Sequence, residues 1–93
     1  MFAVAFDLHT KEAEQRHPKG VTAAYRDVGR TLETFGFEWA QGSVYITTQE
    51  NLANLTAAMV ALKALPWFPG AVRDIRAFRV EQWSDFTEFM KRQ

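Results

Sequence analysis

Residues 2–8 read FAVAFDL. Phe2, Val4, Phe6 and Leu8 alternate with Ala3, Ala5 and Asp7, which is the period of a half-buried strand. The large side chains belong under helices. The small ones leave a shallow opposite face that ends in a carboxylate.

The polar residues 9–16 that follow read as a loop. His17-Pro18 then opens a helix, with proline in its first turn. Val21, Tyr25, Val28, Leu32 and Phe35 recur at helical spacing, and Gly36 supplies the stop. Phe37 to Thr47 reads as extended chain with a turn or bulge at Gly42. Beyond it, Val44 and Ile46 are expected toward the helices, with Ser43 and Tyr45 on the other face. Thr47 and Glu50 fit a capping box for a second helix carrying Leu52, Leu55, Met59 and Leu62, which Pro66 ends. Trp67-Phe68, between two prolines, reads as a hydrophobic plug, and Trp39 and Trp83 as packing residues. VRDIRAFRV at 72–80 forms the last strand, and Ser84 or Asp85 caps a short helix holding Phe86, Phe89 and Met90.

The order strand, helix, strand, strand, helix, strand specifies two right-handed crossovers. The expected fold is α+β, a ferredoxin-like split β-α-β over residues 1–93. It has a four-stranded antiparallel sheet, two main helices on one face and a short C-terminal helix. The other sheet face is left bare. Ala3 and Ala5 are too small to stack bases but permit close approach of a second sheet, so a twofold homodimer is expected.

Composition narrows the function classes. The 93 residues suffice for one core. Eleven basic and eleven acidic residues cancel, so any nucleic-acid contact must use a local patch. The absence of cysteine excludes a disulfide framework and a cysteine-based zinc site, and points to a reducing compartment, with the cytoplasm expected. The apolar N-terminal run is short, lacks a basic start and reaches an acid at position 7, which is unlike a signal peptide. No run approaches the roughly 20 apolar residues of a membrane span. Eight Phe and three Trp are many for so small a core, which suggests an aromatic surface that something covers.

Among residues that carry chemistry, Asp7 ends a strand on the bare face beside a polar segment. It is either a functional carboxylate or the start of an Asx turn holding residues 8–12. Ser43 shares its face by parity, and is otherwise an ordinary turn serine. Asp74, Arg76 and Phe78 join that face if Ile75 and Ala77 point inward; Val72, Phe78 and Val80 favour the reverse, unless a bulge reconciles them. Arg73, Arg76 and Arg79 form a basic cluster, and Arg26 and Arg30 share a helix face. Guanidinium groups suit phosphates, but Asp74, Asp27 and Glu33 are equally available as partners. His9 and His17 match no metal or triad spacing. GSVYITTQ does not supply the aromatic octamer of an RNA-recognition module, and no phosphate loop or nucleophile elbow is present.

Four segments carry a resemblance that spans nearly the whole chain: FAVAFDL at 2–8, HPKGV with AY within 17–25, GFEWAQGSVY at 36–45, and VRDIRAFRVEQWSDFTEF at 72–89. They closely resemble the virulence-associated protein D family, itself similar to the CRISPR adaptation nuclease of ferredoxin-like fold. The resemblance implies a homodimeric endoribonuclease that acts as a toxin, paired in some bacteria with a small antitoxin protein. It implies catalytic roles for Asp7, Ser43 and Asp74, and contacts to RNA from Arg73, Arg76 and Tyr45. Asp7 would either take a proton or hold Mg²⁺, with an arginine stabilising the phosphorane. Two Asp7 side chains brought together across a twofold would repel, which a metal would relieve.

Overall fold

The first strand becomes the centre of the molecule because alternation lets it bury one whole face. In the computed structural model, which describes residues 1–92, β1 (Phe2–Leu8) pairs antiparallel on both sides. The other strands are β2 (Glu38–Gln41), β3 (Val44–Thr47) and β4 (Val72–Arg79), and the sheet order is β2-β3-β1-β4. Helices α2 (Gly20–Thr34) and α3 (Leu52–Lys63) make the two crossovers. Phe2, Val4, Phe6 and Leu8 are buried with Val28, Leu32, Phe37, Leu55 and Leu62 in one core. The expected α+β architecture is the observed one.

Residues 9–16, expected as a loop, include helix α1 (Thr10–Arg16). Its one buried side chain is Ala13, so its apolar stripe is too thin to register as periodicity. Helix α2 ends at Thr34 with Phe35 as its C-cap, and the next residue is Gly36, whose φ of +84° is left-handed and suits glycine. The N-cap of α3 is Asn51, whose Oδ1 accepts from the backbone N–H groups of Ala53 and Asn54 at 2.9 and 3.3 Å. The capping box expected from Thr47 and Glu50 does not form. The Thr47 hydroxyl accepts from Gln49 N–H, while Glu50 pairs with the N-terminal ammonium and with Arg79 at 3.1 Å. Leu52 is exposed, and Ala58 is buried in the core beside Leu55 and Leu62.

The expected orientation of β3 is reversed. Tyr45 lies opposite Val4, and Val44 opposite Ala5, so Tyr45 points to the helices and Val44 and Ile46 lie on the open face. The Tyr45 ring stacks on Phe6 with centroids 6.3 Å apart, and its hydroxyl fills the gap that Gly29 leaves on α2. The larger aromatic takes the side where a helix can cover it.

On β4 the bulge decides the parity. Asp7 pairs with Asp74 and Leu8 with Val72, so Arg73 is the extra residue. This lets Val72 and Ile75 both pack on the core while Asp74, Arg76 and Phe78 share the open face with Asp7 and Ala5; Ala3, on the same side and expected to be bare, is fully buried within the chain. Trp67 and Phe68 are buried, as a plug should be, and Phe68 opens the single turn α4 (Phe68–Ala71) that leads into β4. Trp39 is no packing residue: it stands on edge strand β2, 64% exposed, its indole N–H donating to Gly42 C=O at 2.9 Å. Trp83 is also exposed. Helix α5 (Thr87–Lys91) starts where Asp85 accepts from Thr87 N–H, and Phe86, Phe89 and Met90 remain exposed around it.

Candidate active site

Asp7 is placed by the end of β1, where the bulge opens the ladder and frees the Leu8 N–H. The Asp7 Oδ1 accepts from that N–H at 3.0 Å and from the Tyr25 hydroxyl at 2.9 Å. Tyr25 projects from the middle of α2, with its ring tilted against Phe6 at 5.6 Å. Burial pushes the Tyr25 phenol up; the Leu8 N–H opposes this, and the bond to Asp7 and its charge add to it. At neutral pH the phenol therefore keeps its proton and donates it to the carboxylate. One Asp7 oxygen is thus held by two donors. The other, Oδ2, has the Arg73 guanidinium 3.9 Å away, and the Asp7 side chain is about half exposed.

Asp74 is directly opposite Asp7 on the same face, and Arg76 is opposite Ala5 one step along it. Ser43 closes onto the same end of the sheet, its carbonyl accepting from Phe6 N–H at 3.2 Å. Asp7, Arg73 and Asp74 therefore converge, with Arg76 alongside; Ser43, expected on their face, follows the reversed parity of β3 opposite Phe6 and is not brought to them. Tyr45 does not join them: burial raises its pKa, the Glu33 charge adds to the rise, and its contacts are with Phe6 and Gly29. Arg79 also leaves the expected arginine cluster. It lies at the far end of β4, over the Phe2 ring at 5.2 Å and paired with Glu50.

Tyr25 is the site residue that sequence reasoning missed, having been assigned to the core stripe of α2. A buried phenol needs a partner for its O–H, and a carboxylate at a strand end is a natural one. His17 is buried and structural: Nε2 meets Asp27 Oδ2 at 2.6 Å, and Nδ1 accepts from Lys19 N–H.

The amino-acid sequence is 57% identical over 91 residues to the endoribonuclease VapD homolog of Neisseria gonorrhoeae, covering 98% of this chain and 99% of that one. It is 56% identical over 91 residues to endoribonuclease VapD of Haemophilus influenzae, with the same coverage. The chain belongs to the VapD family. A Helicobacter pylori member, also named endoribonuclease VapD, is 46% identical over 93 residues, covering 98% of this chain and 99% of that one. No protein-family model matches the chain. Among the described residues no helix is long and apolar enough to cross a membrane.

Among the described residues no three histidine or carboxylate side chains converge on one point. Asp7 and Asp74 bring two carboxylates together, and Mg²⁺ is commonly held by one or two carboxylates while keeping several waters. Asp7, through the Oδ2 that also faces Arg73, and Asp74 are the side chains that would hold such an ion.

Proposed function

We propose that this VapD protein is an endoribonuclease whose cleaving centre is built around Asp7. The names of its relatives support the activity, and one observation carries the site: Asp7 has one oxygen fixed by Tyr25 and Leu8, and a second left accessible beside Arg73. In this reading Asp7 Oδ2 takes the proton from an RNA 2′-hydroxyl, and the 2′-oxygen attacks the adjacent phosphorus. The bond from phosphorus to the 5′-oxygen breaks, and that oxygen leaves with a proton from water. The products carry a 2′,3′-cyclic phosphate and a 5′-hydroxyl. Tyr25 orients the base. Arg73 stabilises charge on the phosphorane oxygens, and Arg76 holds a neighbouring phosphate. Asp74 is the second carboxylate, and Mg²⁺ held by Asp7 and Asp74 would supply a Lewis acid for a phosphoryl oxygen.

The working unit in this proposal is a homodimer. The open sheet face offers Ala5, Val44, Ile46 and Phe78, and the C-terminal residues Trp83, Phe86, Phe89 and Met90 add exposed apolar surface. Ala5→Arg would bury an unpaired charge there and give monomers or insoluble protein. A wild-type protein that sediments as a monomer at micromolar concentration removes the dimer from the account. A toxin role, checked by a small antitoxin protein, extends the same reading. Growth arrest on expression, relieved by a small protein encoded beside this one, is its test.

The experiment for the activity is cleavage of end-labelled single-stranded RNA with identification of the product ends. Cyclic phosphate ends that form in EDTA favour Asp7 as base; cleavage lost in EDTA and restored by Mg²⁺ favours the metal. No cleavage in either condition overturns the proposal.

A further inference from the structure

Away from Asp7, on the helix layer, lies a cleft of about 590 Å³ between the α1–α2 junction and the Pro66-Trp67 turn. Arg16, Lys19, Arg26 and Arg30 line it, with Asp27 as the one carboxylate. Four cations against one anion is a local excess in a chain whose net charge is zero.

Ion pairing within the protein does not account for it. Among the described residues Lys19, Arg26 and Arg30 have no carboxylate within salt-bridge distance. Asp27 precedes Arg30 by three residues, a spacing suited to an ion pair, but it meets the buried His17 ring at 2.6 Å instead. Arg26 and Arg30 are like charges one turn apart, an arrangement that costs an isolated helix a few tenths of a kcal/mol. Arg16 is held in advance. Its Nε donates to Glu12 at 2.8 Å, and its guanidinium lies where a Cβ on Gly70 would stand, within 2.7–2.8 Å of that point. Among the described residues its two terminal nitrogens have no hydrogen-bond partner. The floor is rigid: His17 meets Trp67 edge-on at 5.1 Å, and both are buried. A buried indole offers no face for a base, so the cleft suits backbone phosphates and not nucleobases.

The cleft also connects to the candidate active site. Gly70, under Arg16, belongs to α4, which runs directly into β4 and Arg73 beside Asp7. Tyr25, which bonds to Asp7, precedes Arg26 on α2. We infer that this cleft is a second RNA site, binding backbone phosphates of the strand that flanks the cleaved bond. The inference rests on the endoribonuclease reading for its ligand and deepens it by assigning a sequence-independent extension of the substrate path.

The test uses a single-stranded 2′-O-methyl RNA, which binds but has no free 2′-hydroxyl to react, with anisotropy measured across a KCl series. The pair of exposed substitutions Arg26→Gln and Arg30→Gln should reduce the slope of log affinity against log salt by about 1.4, two phosphate contacts at about 0.7 each. Cleavage of a dinucleotide, too short to reach the cleft, should be unchanged, while cleavage of a long RNA should slow about tenfold at limiting concentration. An unaltered slope and affinity overturn the inference. So does loss of binding to an oligo-aspartate peptide with RNA binding intact, which would make the cleft a site for an acidic protein. If the wild-type protein binds the analogue with the expected slope change but cuts no RNA, the cleft stands and the proposed activity falls. If it binds no RNA, both fall.

Discussion

Gly29→Ala tests the orientation of β3, and with it the removal of Tyr45 from the open face. In the interior of a helix this change normally stabilises by about 1 kcal/mol. Here a Cβ at position 29 would stand 2.2 Å from the Tyr45 hydroxyl oxygen and 3.1 Å from the ring carbon that bears it. The ring cannot readily swing away, because it is stacked on Phe6 and its backbone is paired with Val4. Overpacking costs about 1–3 kcal/mol, so the net effect runs from about zero to about 2 kcal/mol of destabilisation. Tyr45→Phe removes the atom at 2.2 Å and leaves only the 3.1 Å contact, which a few tenths of an ångström would relieve. The double variant should therefore be more stable than Gly29→Ala alone, with a coupling of at least about 1 kcal/mol in a double-mutant cycle. Urea unfolding followed by circular dichroism measures all four proteins. A stabilising Gly29→Ala, or strict additivity with Tyr45→Phe, would mean that Tyr45 does not lie over α2 and that the β3 parity has been misassigned.

Phe6→Ala should cost about 3–5 kcal/mol, since Phe6 is a buried core residue that stacks on Tyr45 and packs against the tilted Tyr25 ring; a loss under about 1 kcal/mol would contradict this placement. Asn51→Ala should cost about 1 kcal/mol, and Glu50→Gln should leave α3 intact; the reverse ranking in denaturant midpoints would restore the capping box. Tyr25 and Tyr45 both have pKa values raised above the ordinary 10.0, so the folded state holds these protons more tightly than the unfolded chain does. Their contribution to stability is complete below about pH 10 and is lost as pH rises through the raised values. Tyr45→Phe should flatten that alkaline decline, and a wild-type stability unchanged from about pH 9 to 11 would refute the assignment.

The parts of the fold legible in the sequence are those where a large side chain repeats with one period. FAVAFDL and the α2 stripe each declare their face because one side is continuously apolar, and the buried Phe2, Val4, Val28 and Leu32 follow. The turn of α1 was illegible because Ala13 alone is buried along it. Strand β3 misled because Val-Tyr-Ile has apolar residues on both faces, so its register is set by pairing with β1 and not by its own pattern. For β4 the two possible parities were both partly right, and the bulge at Arg73 joins them. At the site, Asp7 was legible from its place at a strand end. Its partner Tyr25 was not, because a tyrosine at helical spacing is indistinguishable from a packing residue until the end of β1 is seen against α2.

The central claim is that Asp7 performs the chemistry, and a single-turnover cleavage assay of Asp7→Asn on labelled RNA tests it most directly. Asparagine preserves size and can still accept from Tyr25, but it can neither take a proton nor hold a cation by charge. The expected rate is lowered at least about 10²-fold, with the circular dichroism spectrum and the affinity for uncleavable RNA retained. A variant that cuts as fast as wild type would make Asp7 a residue that caps the Leu8 N–H and anchors Tyr25, and the cleaving centre would lie elsewhere.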